Sequence, residues 1–506
     1  EGILTVGKRE MMASSGPYHR EFIRRLGTIP VHGLGLSVDI HAPDLASLRR
    51  SLQERQVPLA YLEVFRTTST ALASTRKEVG DGLLTYHGEG LWVTQPEMAD
   101  STAFGQEISE AAEQLVILQS AWLNHECATK YLAGYHYGTY LPPLYTPLSA
   151  NVVADNTRLI QRLLDQQCRL ANESTPLVLL EMPPLTYFVA GTMSIPRFFQ
   201  IVSEQAPCGL VLDVGHLWTV FRYSGVHRTM SLTRFIEIFL NEFPMDRVVE
   251  IHVAGLAIHE SHRALTLRLN DGLDDAALPA WVDAHSAPIP TVLFEMLDQI
   301  LCHPQLTSLK GLALEVDTKP VALIVDEFAE FSRRYGALFH RLSNNEPVVP
   351  DCETRSVSEG LMSTSSTQNL TEAYDRYARV VAGTMEPAGA EWNQDTANSQ
   401  ELDLYRSVYL PYEILHWGGK VEDMFVESCH RLRERDVSLD EFVAFWFREP
   451  RTLVGTYDFF LLKVERFVEF VHEVAPELHS IAEREAEDLR RAYRFANEPG
   501  VPVYES

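Results

Sequence analysis

Between about residue 32 and residue 342, short apolar runs alternate with longer amphipathic stretches. The apolar runs lie at 33–38, 59–64, 83–87, 177–181, 209–213, 248–253 and 311–316, and helix-like stretches lie at 42–56, 150–171, 195–204 and 232–243. Apolar strands separated by helices form parallel sheets that are covered on both faces, and a repeat of this length suits eight strands closed into a ring. The alternation therefore predicts an α/β fold of the TIM type, a (β/α)₈ barrel.

The alternation stops near residue 343, and a chain of 506 residues is too long for one ordinary hydrophobic core. We predict an N-terminal extension at 1–30, the barrel as a metal-dependent catalytic domain at 31–342, a polar linker at 343–370 and a smaller all-α domain at 371–506. In the last segment, residues 438–441 have the form of a helix capping box, and residues 459–475 and 478–497 have helical periodicity.

Charge and composition exclude several classes of protein. The chain has 43 Lys and Arg against 69 Asp and Glu, a net charge of −26, which disfavours a nucleic-acid partner because binding to phosphates needs cationic side chains. No apolar run reaches the roughly 18 to 20 residues that cross a bilayer, so no membrane association is expected. The 6 cysteines are scattered without a C-x-x-C pair, as in a reducing compartment. We expect a cytoplasmic protein, and no pattern indicates its oligomeric state.

Side chains of metal-ligand type stand at or just after the predicted strands. They are His87, His125, Glu181, Asp213, His216, His252, Asp283, His285 and Glu315. Barrel active sites are built where the carboxyl ends of the strands meet, so we expect these groups to converge. One ion takes about four to six ligands, and imidazoles with carboxylates but no thiolates favour Fe, Mn, Zn or Co over Mg or Ca. The set therefore predicts a cluster of two or three ions.

Two close pairs strengthen this prediction. Asp213-x-x-His216 follows an apolar strand directly, and Asp283-x-His285 places two ligands on one side of an extended segment. Other acidic and imidazole side chains are interpreted as structural. This second group comprises His32, His41, His136, His259, His262, His303, Glu63, Glu89, Glu126 and Glu295.

Several short stretches carry a resemblance to a known family. They are GLGL at 33–36, YLEV at 61–64, YHGEGL at 86–91, LLEMP at 179–183, CGLVLDVGHL at 208–217, EIHVAG at 250–255 and DAHSAP at 283–288. In this order, from about residue 31 to 335, the chain resembles the multinuclear non-heme iron-dependent oxidative enzymes, which include the methanobactin biosynthesis oxidase. The resemblance places iron ligands at His87, His125, Glu181, Asp213, His252, Asp283, His285 and Glu315.

The resemblance also implies a chemistry. It points to two or three iron ions including a mixed-valent pair, with O₂ as co-substrate, while Zn or Mn remain open. Among the ligands, Glu181, Asp213 and His216 are the candidate catalytic residues. The implied substrate is Cys, Asp or Asn of a ribosomally made peptide, or a related small molecule, which is oxidatively rearranged.

The chain departs from the family pattern in two places and extends beyond it. His216 stands where the family commonly has Asn, and Leu256 stands where a second His often occurs. Family members that modify peptides generally work with a separate partner that captures the precursor. Our hypothesis is that residues 371–506 do this within one chain, because the segment has aromatic stretches at 409–412 and 446–447. These aromatics could equally fill a helical core.

Other classes of protein share parts of the pattern. The same ligand order resembles the trinuclear zinc site of the endonuclease IV type of apurinic endonuclease, and His216 fits that site better than the iron one. The acidic balance speaks against this phosphodiesterase. A sugar isomerase or epimerase of the xylose-isomerase type would need fewer ligands. A scaffold without activity is disfavoured because every candidate position still holds a competent side chain.

Overall fold

The computed structural model describes residues 16–40, 44–263, 278–343, 364–388, 392, 396–453 and 456–496. Residues 1–15 of the predicted N-terminal extension, residues 344–363 of the predicted linker and His41 lie outside the described residues. The rest of the extension contains helix α1 (Pro17–Leu26), and a later helix begins at Thr364, inside the stretch predicted as linker.

Eight parallel strands close into a barrel, which confirms the predicted TIM-type fold. In chain order the barrel strands are β1 (Gly33–Val38), β2 (Tyr61–Phe65), β3 (Leu83–Gly88), β4 (Trp122–Glu126), β7 (Leu177–Glu181), β8 (Gly209–Asp213), β9 (Val248–Val253) and β12 (Gly311–Glu315). The ring closes where β1 pairs with β12. Two antiparallel pairs lie outside the ring: β5 (Thr129–Leu132) with β6 (Tyr135–Leu141), and β10 (Leu256–Ile258) with β11 (Trp281–Asp283).

Helices cover the outside of the barrel. They are α2 (Leu45–Glu54), α3 (Ser69–Val79), α4 (Phe104–Leu118), α5 (Pro147–Gln167), α6 (Ile195–Gln205), α7 (Val214–Tyr223), α8 (Leu232–Glu242), α9 (Thr291–Leu301) and α10 (Val321–Ser343). Side chains alternate along each strand between the helices and the barrel interior. The lower interior is apolar, and Phe22 and Leu26 of α1 close it against Trp122, Leu177 and Leu179.

The C-terminal region is helical, with α11 (Thr364–Val381), α12 (Thr396–Leu404), a π-helical turn (Tyr405–Tyr409), α13 (Leu410–His416), α14 (Val421–Met424), α15 (Val426–Arg433), α16 (Leu439–Phe447), α17 (Phe459–Val474) and α18 (His479–Ala496). The predicted capping box is present at the start of α16, where Ser438 and Glu441 each bond the other's backbone N–H. Among the described helices, none combines the length and apolar character that crossing a membrane requires.

The helical region and the barrel share one continuous hydrophobic core. The β5–β6 hairpin, which follows β4 at the carboxyl end of the barrel, lies between them. The Trp446 indole N–H donates to the carbonyl of His136 at 2.7 Å, and the Tyr137 hydroxyl donates to the carbonyl of Ala378 at 2.7 Å. The helical region therefore packs against the same end of the barrel where the predicted ligands stand.

Candidate metal centre

Strand alternation brings five predicted ligands into the barrel interior at its carboxyl end. They are His87 on β3, Glu181 on β7, Asp213 on β8, His252 on β9 and Glu315 on β12, and each is at most 3% exposed. Each stands at the last or next-to-last residue of its strand. Because parallel strand ends meet at one rim, side chains more than 200 residues apart in the chain become neighbours.

Helix α7 supplies the sixth predicted ligand, His216. Asp213 is its N-cap and accepts the backbone N–H of His216 at 2.6 Å, which starts the helix directly at the strand end. Nδ1 of the His216 ring lies 2.7 Å from the carbonyl oxygen of Met182. This hydrogen bond places the proton on Nδ1, so Nε2 faces the pocket with its lone pair.

Asp283 and His285 reach the pocket by a route that differs from the prediction. They do not end a barrel strand. Asp283 ends β11, which pairs with β10 in the loop after β9, and Leu256 is its partner in that ladder. Gly255 has no side chain where the backbone carbonyls of Ala284 and Ala287 approach it, so only glycine permits this close packing. Leu256, which stands where the family often has a second His, thus occupies a buried position in the β10–β11 pair.

Glu181 lies at the middle of the group. Its Oε1 is 3.2 Å from His252 Nδ1 and 3.7 Å from His216 Nδ1, and its Oε2 is 3.3 Å from His87 Nε2. Glu315 also spans two imidazoles, with Oε1 3.2 Å from His252 Nδ1 and Oε2 3.3 Å from His285 Nε2. Two carboxylates, one facing three imidazoles and the other facing two, are the arrangement expected of bridging ligands in a multinuclear site.

A second focus lies around Asp283. Its Oδ2 is 3.0 Å from His285 Nε2 and 3.5 Å from His216 Nε2. The other nitrogen of His285, Nδ1, is 3.0 Å from Asp317 Oδ2. A carboxylate on the far nitrogen orients an imidazole and selects its tautomer, so Asp317 belongs to the site although the sequence analysis did not select it.

His125 is the predicted ligand that the structure keeps away from the group. Its Nδ1 is 2.8 Å from the Glu126 carbonyl, and its Nε2 accepts the Leu91 N–H at 3.1 Å. The reason is strand parity: Asn124 and Glu126 face the interior, and His125 between them faces outward, against Leu91 and Trp92 in the segment after β3. Asn124 confirms this parity, because its amide donates to Glu181 Oε2 at 2.9 Å.

Glu126, interpreted from the sequence as structural, lies instead with Glu181 and His216. Glu63, interpreted in the same way, lies with Glu250 and His252. The alternation within each strand accounts for both positions once the structure shows which side faces the interior. Glu126 is two residues from Asn124 and four from Trp122, an interior side chain, and Glu63 is two residues from the interior Tyr61.

The concentration of buried carboxylates dominates the electrostatics. Burial disfavours protonation of His87, yet Glu181, Glu63 and Glu315 together raise its pKa to about 9. The pKa values of His216, His252 and His285 also rise well above the usual value against the effect of burial, because Asp213, Glu181 and Asp283 respectively lie beside them. Burial and nearby carboxylates raise the pKa of Asp213 to about 7. The pocket thus attracts positive charge strongly.

Unpaired ligand atoms show that this charge fits metal ions. Glu181 Oε1, Asp213 Oδ2, His216 Nε2, His252 Nδ1, Asp283 Oδ1 and Glu315 Oε2 are buried without a hydrogen-bond partner among the described residues. Buried polar atoms are normally paired, so a convergent set of six unpaired ones requires an explanation. Their types, neutral imidazole nitrogen and carboxylate oxygen, are those that Fe, Mn, Co and Zn take.

One side of this group of imidazoles and carboxylates is more exposed than the rest. The side chains of Asp283 and His285 are each 20% exposed, and that of Asp317 is 28% exposed. Every other member of the group is at most 4% exposed. Among the described residues, the more exposed side of the group is therefore the one formed by Asp283, His285 and Asp317.

Fold and site together define a TIM barrel with a buried group of ligand-type imidazoles and carboxylates at its carboxyl end. A family model described as "RiPP precursor modification enzyme MbnB/TglH/ChrH" matches residues 46–333, more than half of the chain. The chain belongs to this family, and the resemblance drawn from the sequence motifs is confirmed.

Individual relatives are more distant. A UPF0276 protein of Rhizobium meliloti is 26% identical over 223 residues, which cover 43% of this chain and 60% of that protein. A UPF0276 protein of Vibrio parahaemolyticus is 26% identical over 164 residues, 32% of this chain and 46% of that protein. Among solved structures, endonuclease IV from Thermus thermophilus is 14% identical with a TM-score of 0.33, covering 61% of this chain and 99% of that one. The chain thus spans less than two thirds of the length of either UPF0276 relative.

Proposed function

We propose that the chain is an O₂-dependent multinuclear iron enzyme that oxidatively modifies a Cys, Asp or Asn residue of a ribosomally made precursor peptide, or a related small molecule. The single observation that carries the proposal is the convergence of eight of the nine predicted ligands in a barrel of this family. The family supports peptide modification, and the motifs together with the donor set support iron.

The residues divide into groups that would hold separate ions. Glu181, His252 and Glu315 form one such group, His216, Asp283 and His285 a second, and Glu126, Glu181 and His216 a third that shares members with both. His87 contacts the first group through Glu181 and would complete it. Bound iron would supply one-electron chemistry and O₂ activation here.

The protein's own contribution is orientation and exclusion of water. The Met182 carbonyl and the Asp317 carboxylate accept hydrogen bonds from the His216 and His285 rings and hold them, so these residues need no reorganisation when a cation binds. A layer of buried polar side chains, with the apolar barrel interior beneath it, closes the pocket floor, and among the described residues the Asp283 side is the more exposed one. We place the substrate on that side, next to His285.

The helical region would border the path of the substrate. Glu413 on α13 lies 2.8 Å from His259, just after β10, and Tyr409 packs against Tyr187, which follows β7. Tyr409, Trp446 and Phe447 are buried, while Tyr412 is half-buried and its hydroxyl donates to Glu260 at 2.6 Å. Three of the four aromatic rings that motivated the recruitment hypothesis therefore pack in a core. We propose that the region captures the precursor through its surface near the rim, and not through these aromatics.

Metal analysis tests the proposal. Protein purified anaerobically should contain two or three iron ions per chain, with distinct sites in its Mössbauer spectrum, and should consume O₂ with a precursor peptide. The variants His87→Ala, Glu181→Ala and His252→Ala should lose iron and turnover while the fold survives. His19→Ala, on α1 at the opposite end of the barrel, is the control. Full iron content in all three variants would reject the ligand assignment.

A zinc phosphodiesterase remains the second candidate, because one observation favours it. His216 Nε2 points into the pocket 3.8 Å from Asp213 Oδ1 and 3.5 Å from Asp283 Oδ2, as a third imidazole ligand would. Three zinc ions per chain with cleavage of abasic DNA, and no O₂ consumption, would establish this function in place of the oxidase.

A further inference from the structure

The barrel interior directly below the metal centre is polar. Ser37 on β1, Tyr61 and Glu63 on β2, and Glu250 on β9 are each at most 2% exposed. Ser37 directly follows the GLGL stretch, and Tyr61 and Glu63 belong to the YLEV stretch. The GLGL and YLEV stretches carry part of the family resemblance but contribute no residue to the proposed ligand set. Burying two carboxylates and two hydroxyls in a barrel core is costly unless their partners are specific.

Each carboxylate in this layer is held by a hydroxyl. The Ser37 hydroxyl donates to Glu63 Oε1 at 2.9 Å. The Tyr61 hydroxyl donates to Glu250 Oε1 at 2.6 Å, across the barrel. Both carboxylates then face the same imidazole: Glu63 Oε1 is 3.2 Å, and Glu250 Oε2 is 3.6 Å, from His252 Nε2.

Two glycines make this arrangement possible. A Cβ at Gly35 would overlap the Tyr61 ring, and a Cβ at Gly311 would lie 2.7 Å from the Tyr61 hydroxyl. Any larger residue at position 35 or 311 would push the Tyr61 ring aside and separate its hydroxyl from Glu250. One contact, the hydrogen bond from Tyr61 to Glu250, therefore depends on three of the motifs: Gly35 of GLGL, Tyr61 of YLEV and Glu250 of EIHVAG.

His252 faces this layer with one nitrogen and the metal centre with the other. Its Nδ1 lies 3.2 Å from both Glu181 Oε1 and Glu315 Oε1. A neutral imidazole binds a metal through the nitrogen that carries no proton, and the proton on the other nitrogen needs an acceptor. Glu63 is the nearest acceptor to Nε2, and it is itself fixed by Ser37.

We propose that Glu63 is a positioning residue for the metal centre: it accepts the Nε2 proton of His252, which leaves Nδ1 free to bind the ion shared with Glu181 and Glu315. Ser37 fixes the acceptor directly. Tyr61 holds Glu250 on the other side of the same imidazole, so the ring has one orientation. The inference rests on the proposed metal centre and does not depend on the reaction that the centre performs.

Anaerobic titration of Fe(II) into metal-free protein tests this role. Glu63→Leu removes the acceptor and should weaken Fe(II) binding by about 10- to 100-fold, the range found for partners behind a ligating imidazole. Glu63→Gln keeps a neutral acceptor oxygen and should show a smaller loss. In both variants the Mössbauer spectrum should change at one iron site and remain unchanged at the others, which a merely structural role would not produce.

Thr85→Val is the matched control. Thr85 lies on β3, is fully buried, and its hydroxyl has no hydrogen-bond partner among the described residues. This variant should bind Fe(II) as the wild type does. Should Glu63→Leu fail to fold, Glu63→Gln and Ser37→Ala provide the same comparison.

Two outcomes would overturn the inference. Unchanged affinity and an unchanged spectrum in the folded Glu63 variants would mean that Glu63 does not orient His252. Loss of one whole ion, with the others bound as tightly as before, would mean that Glu63 is itself a ligand of a deeper ion. The protein could also bind Fe(II) most tightly as wild type, less tightly as Glu63→Gln and least tightly as Glu63→Leu, yet show no O₂-dependent turnover. That result would reject the proposed reaction and support the role of Glu63.

Discussion

Neighbouring residues on one strand have opposite environments in this barrel. Glu126 faces the interior with Glu181 and His216, while both ring nitrogens of His125 are bonded to backbone groups outside it. In the sequence, Trp122 and Leu123 are both apolar, so the alternation of β4 cannot be read from its first residues. Residue type alone therefore selected the histidine, and only the side of the strand shows that the glutamate is the residue that lies with Glu181 and His216.

The pair His125 and Glu126 allows a direct test. Glu126→Gln removes an anionic oxygen from the group and should weaken metal binding by at least about tenfold. His125→Gln should keep the full metal content and lose only the stability of its backbone hydrogen bonds, about 1 to 3 kcal/mol. Metal per chain and chelator competition measure both variants. The opposite order of affinities would show that the ligand at this strand is His125.

A second residue-scale prediction concerns acid stability. Burial against Trp122 lowers the pKa of His32 to about 4, although the hydrogen bond from its Nδ1 to the Pro30 carbonyl acts in the opposite direction. The unfolded chain, with an ordinary histidine pKa near 6.5, binds more protons than the folded one between these values. Stability contributed by neutral His32 is therefore present above about pH 6.5 and lost as the pH falls towards 4.

His32→Gln removes this titration while keeping a donor for Pro30. On going from pH 7.5 to pH 5, the wild type should lose about 2 kcal/mol more of its unfolding free energy than the variant. Urea unfolding at the two pH values measures the difference. Equal losses in both proteins would show that His32 titrates in the folded state as it does in the unfolded chain.

At the scale of elements, the β5–β6 hairpin joins barrel and helical region. Gly138 in β6 has φ +70°, and a Cβ there would enter the Phe459 ring at the start of α17. Gly134 in the hairpin turn has φ +83°, and its carbonyl accepts the Arg451 N–H at 2.7 Å. The hairpin can approach the helices this closely only because these positions lack side chains.

Gly138→Ala should therefore destabilise the protein for two reasons, backbone strain and overlap with Phe459. Gly80→Ala is the matched control, because Gly80 has φ +67° and nothing within 4 Å of an added Cβ. The control should cost about 1 kcal/mol, and Gly138→Ala about 1 to 3 kcal/mol more. Thermal unfolding of both variants measures this. Equal costs would mean that the hairpin is not held tightly against α17.

At the scale of the whole molecule, the predicted barrel and helical segments are packed as one unit. Tyr374 and Tyr377 on α11 bond to Ser149 and to the Pro142 carbonyl, at 2.6 and 3.0 Å. Their burial and that of Trp446 belong to a core that extends from the helical region into the barrel. A large shared apolar interface makes two regions unfold together.

We therefore expect one calorimetric transition for the intact chain. A chain ending at Ser343 would expose the apolar surface of the hairpin and should unfold at a much lower temperature or aggregate. Calorimetry of the two chains measures the effect. Two separate transitions in the intact protein, or a shortened barrel with an unchanged midpoint, would contradict the single-unit description.

Much of this protein follows from local pattern in the sequence. Apolar runs of strand length between amphipathic helices determine a barrel, because buried parallel strands need helices on their outer face. Residues that end such runs, such as Glu181 and Asp213, are placed at one rim by that topology alone. The capping box at Ser438 is equally local, since its bonds join residues three apart.

Other features were decided by tertiary structure. Strand parity turns Glu126 inward and His125 outward, a side ribbon carries Asp283 and His285 to the pocket, and Glu63 meets His252 only across the closed barrel. The helical region lies on the rim because apolar surfaces far apart in the chain are buried together. Each of these depends on contacts between distant segments, whose energies no local pattern of residues contains.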